Sequence, residues 1–263
     1  MDTISEIKPE IKFSMMQELS NYALISGLFI YPQNNLYAKQ GEDVHNHFSL
    51  TLPEASEMMK PFIEFTAVST VQEMQELFLR SFDVQAITTL DIGFTLFGED
   101  YKRGQLLVNL NREHREAGND CHSELSDHLP NLLRLLPKMQ NRELRNEIAL
   151  RLIIPAVEKM ISEFDTKKIE LKDVIYKKNL KTIIDYSPSY RIVYQYLLQA
   201  LLVALKKDFG YPPDSTGSPV GAGEQDLGNL SCHTKTACNA CNPAVNDYAG
   251  NIEMEITIEK FNV

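Results

Sequence analysis

Apolar residues recur at helical spacing along most of the chain, whereas the alternation typical of β-strands is nearly absent. In residues 14–30 apolar side chains return every three or four positions, and in residues 71–81 Met74, Leu77 and Phe78 fall on one side. This spacing marks one face of an α-helix. The pattern therefore predicts an all-α fold.

The central helices carry start and stop signals. A predicted helix over residues 82–97 closes at Gly98, and Glu99 and Asp100 then place negative charge where the next helix begins. The helix dipole favours acidic groups at an N-terminus, and glycine is common just past a C-terminus. The second of these helices is thus predicted to run from Asp100 to a stop at Gly118.

The second half of the chain is predicted to be helical as well. Pro155 lies inside one of these helices, and proline has no amide hydrogen for the helical hydrogen bond. We therefore expect that helix to be kinked or split. The predicted segments are residues 125–138, 141–164, 170–184 and 189–207.

A polar stretch interrupts the helical pattern near the start of the chain. Residues 33–52 contain Gly41 and several asparagines, and they show no sustained helical or strand period. This composition predicts a loop. Helical patterning resumes at Pro53, since proline suits a first helical turn.

The composition changes after Phe209. Residues 210–228 are rich in Gly, Pro, Ser and Asp, which cannot bury enough apolar surface to offset the entropy lost on ordering. We therefore predict a single helical domain over residues 1–209, followed by an irregular linker and cysteine-containing tail over residues 210–263.

The charge balance narrows the classes of partner. The chain has 26 Lys and Arg against 36 Asp and Glu, a formal net charge of -10. This sign opposes binding to nucleic acid and suits basic peptides, although many proteins are acidic merely to stay in solution. No stretch approaches the roughly 20 apolar residues that span a bilayer, and the first residues carry charge. These features predict a cytoplasmic protein without direct membrane insertion.

Three cysteines cluster in the tail at Cys232, Cys238 and Cys241, next to His233. Such spacing suits zinc or an iron–sulfur cluster, and Cys238 with Cys241 also has the spacing of a redox pair. Zinc ribbons usually pair two half-sites, and only one is present here. A tail that binds no metal is therefore an alternative interpretation. The sequence establishes no cofactor, and zinc at this cluster is the first candidate.

The chain contains no G-x-S-x-G, no H-E-x-x-H and no glycine-rich phosphate loop. Without these motifs of catalysis or nucleotide binding, we predict that the protein is not an enzyme.

Residues 81–139 carry an ordered set of short motifs. Phe82-Asp83 is followed by Leu96-Phe97, then by Asp100 with Arg103-Gly104, and then by residues 124–130, which read ELSDHLP. This order resembles the central block of the NarJ-type nitrate reductase delta subunits, in the TorD/DmsD family of assembly chaperones. Residues 19–32 resemble the opening helix of that family, which ends in Tyr-Pro. Ser126 departs from its usual proline, and nothing beyond Phe209 matches.

The resemblance implies a TorD/NarJ-type helical bundle with a groove. The groove would bind the N-terminal peptide of the catalytic subunit of a molybdenum oxidoreductase, with nitrate reductase as the first expectation, and hold it until the molybdenum cofactor is inserted. The residues it points to for partner binding are Glu124, Asp127, His128, Asp83 and Arg103.

These residues also have structural interpretations. Residues 124–130 are equally suited to a cap and turn that fixes two helices, in which Asp127 or Ser126 caps free amides. Asp83 and Arg103 fit an internal ion pair between adjacent helices better than a direct contact with a partner. His114, on an inner helical stripe, is expected to be a core residue.

Two other functions remain open from the sequence. One is a metal-binding or redox protein that uses Cys232, Cys238 and Cys241 on a helical scaffold. The other is a permanent structural subunit of an oxidoreductase.

Overall fold

The computed structural model describes residues 21–180 and 190–210, and their secondary structure is helical. Within these ranges there is no strand, and one antiparallel bridge joins Asp91 to His128. The all-α prediction is confirmed. Eleven α-helices occur in the described residues: α1 Asn21–Ser26, α2 Leu36–Thr51, α3 Pro53–Val68, α4 Val71–Phe82, α5 Ile92–Phe97, α6 Tyr101–Glu116, α7 Leu129–Leu135, α8 Arg142–Ile148, α9 Ile154–Glu163, α10 Thr166–Leu180 and α11 Val193–Asp208.

Helix α11 runs through the middle of the core. It packs against α3 and α9, while α2 covers α3 and α1 lies on α7. Leu198, Leu201 and Leu205 on α11 are fully buried. Burying one such side chain contributes about 1.5–3 kcal/mol, so this helix is a main source of stability. Among the described helices, none is long and apolar enough to cross a membrane.

The prediction of a loop over residues 33–52 is wrong, because α2 occupies most of it. Tyr37, Gly41 and Val44 are buried on one face of this helix, at spacings of four and three residues. A Cβ at Gly41 would lie 3.3 Å from Cδ1 of Ile63. Gly41 therefore allows α2 to pack closely on α3, and the polar residues around it face solvent.

The predicted helix over residues 82–97 is only partly correct. The chain leaves α4 at Phe82, crosses residues 83–91 without regular structure, and enters α5. The amide of Ile87 donates to the carbonyl of Arg80 at 3.2 Å, which folds the loop back onto the end of α4. Helix α5 ends at Gly98, as predicted, and Gly98 has a φ of +64°.

The limits predicted for α6 are confirmed. Oδ1 of Asp100 accepts from the amide of Lys102 at 2.8 Å, so Asp100 caps the helix, and Gly118 follows its end with a φ of +59°. The prediction for residues 125–138 is wrong at its start, because α7 begins at Leu129. The preceding residues instead form a loop that closes against α5 and α6.

The interruption predicted at Pro155 takes the form of a π-helical turn. Residues Ala149–Ile153 form this turn between α8 and α9, and Pro155 stands in the first turn of α9. Proline has no amide hydrogen to donate, so the π-helical turn ends where a regular helical hydrogen bond could not form. The last two predicted helices correspond to α10 and α11. The linker and tail predicted for residues 210–263 lie outside the described residues, apart from Gly210.

Candidate functional site

A cavity of about 640 Å³ opens between the end of α4, the start of α7 and the loops beside them. It combines a wall of aromatic side chains with charged groups of both signs. Clefts of this size are typical of sites for small molecules and cofactors. The acidic, basic and histidine side chains in its lining are Asp83, Asp91, His122, Glu124, His128 and Arg134.

Aromatic rings form one wall of the cavity. Phe78 and Phe82 lie edge to face with their centroids 5.3 Å apart, and Tyr31 meets Phe78 in the same way at 5.8 Å. Phe29 adds a contact with Phe82 at 6.5 Å. Ile30 and Tyr31 are about 40% exposed, so an apolar surface is presented at the mouth. Such a wall can receive apolar side chains from a ligand.

Three of the predicted partner-binding residues line this one cavity. Asp83 follows α4, Glu124 lies in the loop before α7, and His128 directly precedes α7. The carboxylates of Asp83 and Glu124 are exposed. Neither makes an ion pair with another described residue. They give the rim two negative charges that a partner can approach.

The hypothesis of an ion pair between Asp83 and Arg103 is wrong. Nη2 of Arg103 lies 2.9 Å from Oδ2 of Asp91, and its Nε lies 3.2 Å from Oδ2 of Asp127. The irregular residues 83–91 separate the two acidic positions, so Asp91 rather than Asp83 reaches the start of α6. Arg103 therefore joins the loop after α4 to the loop before α7.

Asp127 lies behind the cavity and has no exposed surface. Its Oδ2 accepts from the amide of Gly93 at 3.1 Å as well as from Arg103. Asp127 thus caps the first turn of α5, not of its own helix α7. Ser126, the other residue suggested as a cap, does not cap a helix. Its Oγ donates to the carbonyl of Leu107 at 3.1 Å. Both residues fix the loop, which agrees with the structural interpretation of this motif.

The two carboxylates that share Arg103 differ in their proton affinity. Burial, followed by repulsion from Asp91, raises the pKa of Asp127. The hydrogen bond from His128 is the main cause that lowers the pKa of Asp91, and Arg103 adds to it. Asp91 is therefore the firmly ionised member, and Asp127 is held in place at an electrostatic cost.

His128 connects this ion network to the cavity. Its Nδ1 lies 3.0 Å from Oδ1 of Asp91, and because an ionised Asp91 can only accept, Nδ1 is the donor. The hydrogen bond sets the orientation of the ring. Nε2 makes no hydrogen bond with the described residues, so it is available to a ligand in the cavity.

The loop that carries Glu124 is held at both ends. Nδ2 of Asn131 donates to the carbonyl of Leu125 at 2.8 Å and to that of Cys121 at 3.3 Å. His122 in the same loop has a φ of +52°, which is uncommon for residues other than glycine. Strained backbone often occurs at ligand sites, where surrounding contacts maintain it.

Several lining residues were not found from the sequence. Asp91 and Arg134 were missed because nothing in their local pattern separates them from surface charges on a helix or loop. Tyr31 was interpreted only as the end of a helix. The one usable signal was the Tyr31-Pro32 pair, because proline disfavours helical backbone at the preceding residue and so indicates that the chain leaves the helix at Tyr31.

The predicted metal ligands Cys232, Cys238, Cys241 and His233 lie outside the described residues. Within residues 21–180 and 190–210 there is no group of three or more His, Cys, Asp or Glu arranged to hold a metal ion. Cys121 in that part of the chain is a free thiol whose pKa is raised by burial.

No protein-family model matches the chain, and a search of curated proteins found no significant match.

Proposed function

We propose that this protein is an assembly chaperone of the NarJ type. Its cavity binds the N-terminal peptide of the catalytic subunit of a molybdenum oxidoreductase, with nitrate reductase as the first candidate, and the protein assists insertion of the molybdenum cofactor. The proposal rests on the resemblance in residues 81–139 and on one structural observation. Asp83 comes from one motif of that block and Glu124 and His128 come from another, about 40 residues further along the chain, and all three line the same cavity.

The chemistry of the cavity suits a peptide. The aromatic wall of Phe78, Phe82 and Tyr31 can hold apolar side chains, while Asp83 and Glu124 at the rim attract a basic residue. Peptide-recognition grooves generally combine apolar pockets for affinity with a few charges for orientation and rate of association. The net charge of -10 acts in the same direction over longer range.

A binding experiment tests the proposal directly. Synthetic peptides covering the N-terminus of an oxidoreductase subunit encoded beside this gene are titrated into the purified protein in a calorimeter. We expect Tyr31→Ala to weaken binding about tenfold or more, because truncated aromatic anchors commonly cost 1–2 kcal/mol or more. Tyr101→Ala is the matched control, since Tyr101 is 80% exposed on α6 and lies outside the cavity. Equal affinity of both variants, or no binding by the unchanged protein, would count against the proposal.

The acidic rim is tested separately. Asp83→Asn with Glu124→Gln is expected to weaken binding roughly two- to fivefold, and the loss should shrink as salt is added, because exposed charge pairs are weak and screened. Glu143→Gln, on the exposed face of α8, is the control for loss of negative charge. An unchanged affinity would remove the two carboxylates from the site, and a loss that is independent of salt would show that they do not act through their charge.

Two other functions are separated from this one by copurification and metal analysis. A permanent subunit would stay with the mature oxidoreductase in equal amount, whereas a chaperone leaves it. A metal or redox protein would instead carry zinc or iron bound to Cys232, Cys238 and Cys241, which elemental analysis of the whole chain detects.

A further inference from the structure

Arg134 is a cation in the cavity without a carboxylate partner among the described residues. It projects from α7 and lines the cavity described above. Its Nη2 donates to Oδ1 of Asn131, whereas its Nε is buried and makes no hydrogen bond within the described part of the chain. No described Asp or Glu lies within 4.0 Å of its guanidinium.

An arginine in this position has unused capacity for hydrogen bonds. Its guanidinium presents five N–H donors in a rigid fork. A cation that is partly removed from water is unfavourable unless an anion or other acceptors compensate it. The helix that carries Arg134 is firmly placed, because Leu132, Leu133 and Leu135 are fully buried. The donors are thus held in position before any ligand arrives.

The carboxylates that line the cavity do not pair with the guanidinium of Arg134. Asp91 is engaged by Arg103 and His128, and Asp83 and Glu124 lie exposed on the rim. The charges are therefore arranged with negative groups at the opening and a positive group on α7. A bound segment that matches this arrangement carries charges of both signs.

We infer that Arg134 binds a carboxylate of the bound peptide, so that the cavity selects segments in which an acidic side chain lies near an apolar one. This inference rests on the proposed function, because it specifies the ligand of the same cavity. A carboxylate fits the guanidinium fork through two parallel hydrogen bonds, which adds geometric selectivity to charge. The aromatic wall takes the neighbouring apolar side chain, and the rim takes a basic one.

A peptide library selected on the full-length protein tests the inference. Random peptides are displayed as internal segments of a carrier, so that only side chains can supply a carboxylate. The unchanged protein is expected to enrich Asp or Glu at one position about tenfold. Arg134→Met should abolish that preference, Arg134→Lys should keep part of it, and Arg134→Glu should replace it by a preference for Lys or Arg. Arg142→Met, which changes an exposed arginine on α8, should leave it intact.

A selected peptide then provides a second measurement. Replacing its acidic residue by the matching amide should weaken binding to the unchanged protein about tenfold, and it should change binding to the Arg134→Met variant by less than about twofold. Circular dichroism and thermal unfolding establish that each variant is folded before it is used.

The outcomes separate the inference from the proposed function. Enriched peptides without an acidic preference, or with one that survives in Arg134→Met, overturn the inference and leave the peptide-binding function standing. Failure of every peptide to be enriched, including on the unchanged protein, overturns both.

Discussion

Gly93 lies where one missing methyl group decides whether the ion network can form. A Cβ at this position would be 2.7 Å from Oδ2 of Asp127 and 3.1 Å from Cδ2 of Leu106. Real side chains do not approach so closely, so the carboxylate would have to move away from Arg103 and from the amide of Gly93. The glycine therefore permits the contact between α5 and the loop before α7.

We predict that Gly93→Ala lowers the free energy of unfolding by about 1–3 kcal/mol, the usual cost of overpacking a well-packed site. Gly104→Ala is the matched control, because a Cβ at Gly104 in α6 meets nothing within 4 Å. Alanine is the better helix former, so this variant should gain up to about 1 kcal/mol. Urea unfolding of both variants measures the difference, and equal stabilities would contradict the assignment.

His114 is a buried histidine whose protonation state is set by its neighbours. Its Nε2 lies 2.9 Å from the carbonyl of Ser126, which only accepts, so Nε2 carries the proton. Its Nδ1 lies 2.9 Å from Nδ2 of Asn119, and that amide is oriented by Lys138, which donates to Oδ1 of Asn119 at 2.7 Å. A second proton on Nδ1 would oppose the amide donor, so the neutral ring is favoured. The sequence-based prediction that His114 is a core residue is confirmed, since it is 2% exposed.

Burial, together with nearby positive charges, lowers the pKa of His114 below its ordinary 6.5. Well above pH 6.5 His114 is neutral in both the folded and the unfolded state, so its burial causes no loss of stability there. As the pH falls below this value the unfolded chain takes up a proton that the folded protein resists. The free energy of unfolding should therefore decrease from pH 7.5 to 5.5, by at most about 1.4 kcal/mol per pH unit from this group.

Denaturation curves at several pH values test the role of His114. The slope of stability against pH should be smaller in His114→Gln than in the unchanged protein. His122→Gln is the control, because His122 is exposed in the cavity loop. If His114→Gln keeps the full slope, another group is responsible for the loss in acid.

At the scale of the helices, the sequence predicts best where apolar spacing and end signals coincide. Helix α4 follows from the spacing of Met74, Leu77 and Phe78, and α6 follows from the cap at Asp100 and the stop at Gly118. Both signals depend only on residues close together in the sequence, so contacts with distant parts of the chain do not override them. Helix α2 was missed because its Gly41, a helix breaker in isolation, is required by the packing of α2 on α3.

The loop over residues 83–91 could not be predicted from its own sequence. Its Ile87 and Leu90 are buried, so its composition is that of a core helix, but the chain turns back onto the end of α4. This choice depends on contacts with distant residues, since the amide of Leu129 donates to the carbonyl of Leu90 at 2.9 Å. A pattern within a few residues cannot contain that information.

The ion network at this junction should stabilise three elements together. We predict that Asp127→Ala lowers the free energy of unfolding by about 2–4 kcal/mol, because it leaves the amide of Gly93 and the Nε of Arg103 without their buried acceptor. Asp83→Ala, which removes an exposed carboxylate of the same motif block, should change it by less than about 0.5 kcal/mol. Chemical denaturation of the two variants gives the comparison, and a stable Asp127→Ala protein would show that the network is dispensable.

For the whole molecule, the candidate site was predictable in part. Asp83, Glu124 and His128 were selected from motifs and line one cavity, whereas Asp127 and Arg103, selected from the same block of motifs, lie behind it. The motifs pointed to this region, but only the arrangement of α4, α7 and the loops beside them separates the residues that reach the cavity from those that position it. The place of Arg134 in the cavity could not be predicted from the sequence, because much of the lining around it comes from residues far away along the chain.

The proposed function places the working surface within the helical domain and away from the tail cysteines. The described lining of the cavity lies between Phe29 and Arg134. We therefore predict that replacing Cys232, Cys238 and Cys241 together by serine leaves the affinity for the client peptide within about twofold of the unchanged protein, as for changes outside a binding site. Calorimetry on the full-length variant measures this, and Tyr31→Ala is the positive control for a loss. If the triple variant loses binding together with bound zinc or iron, the tail takes part in the site, and the metal-dependent function becomes the better explanation of the whole chain.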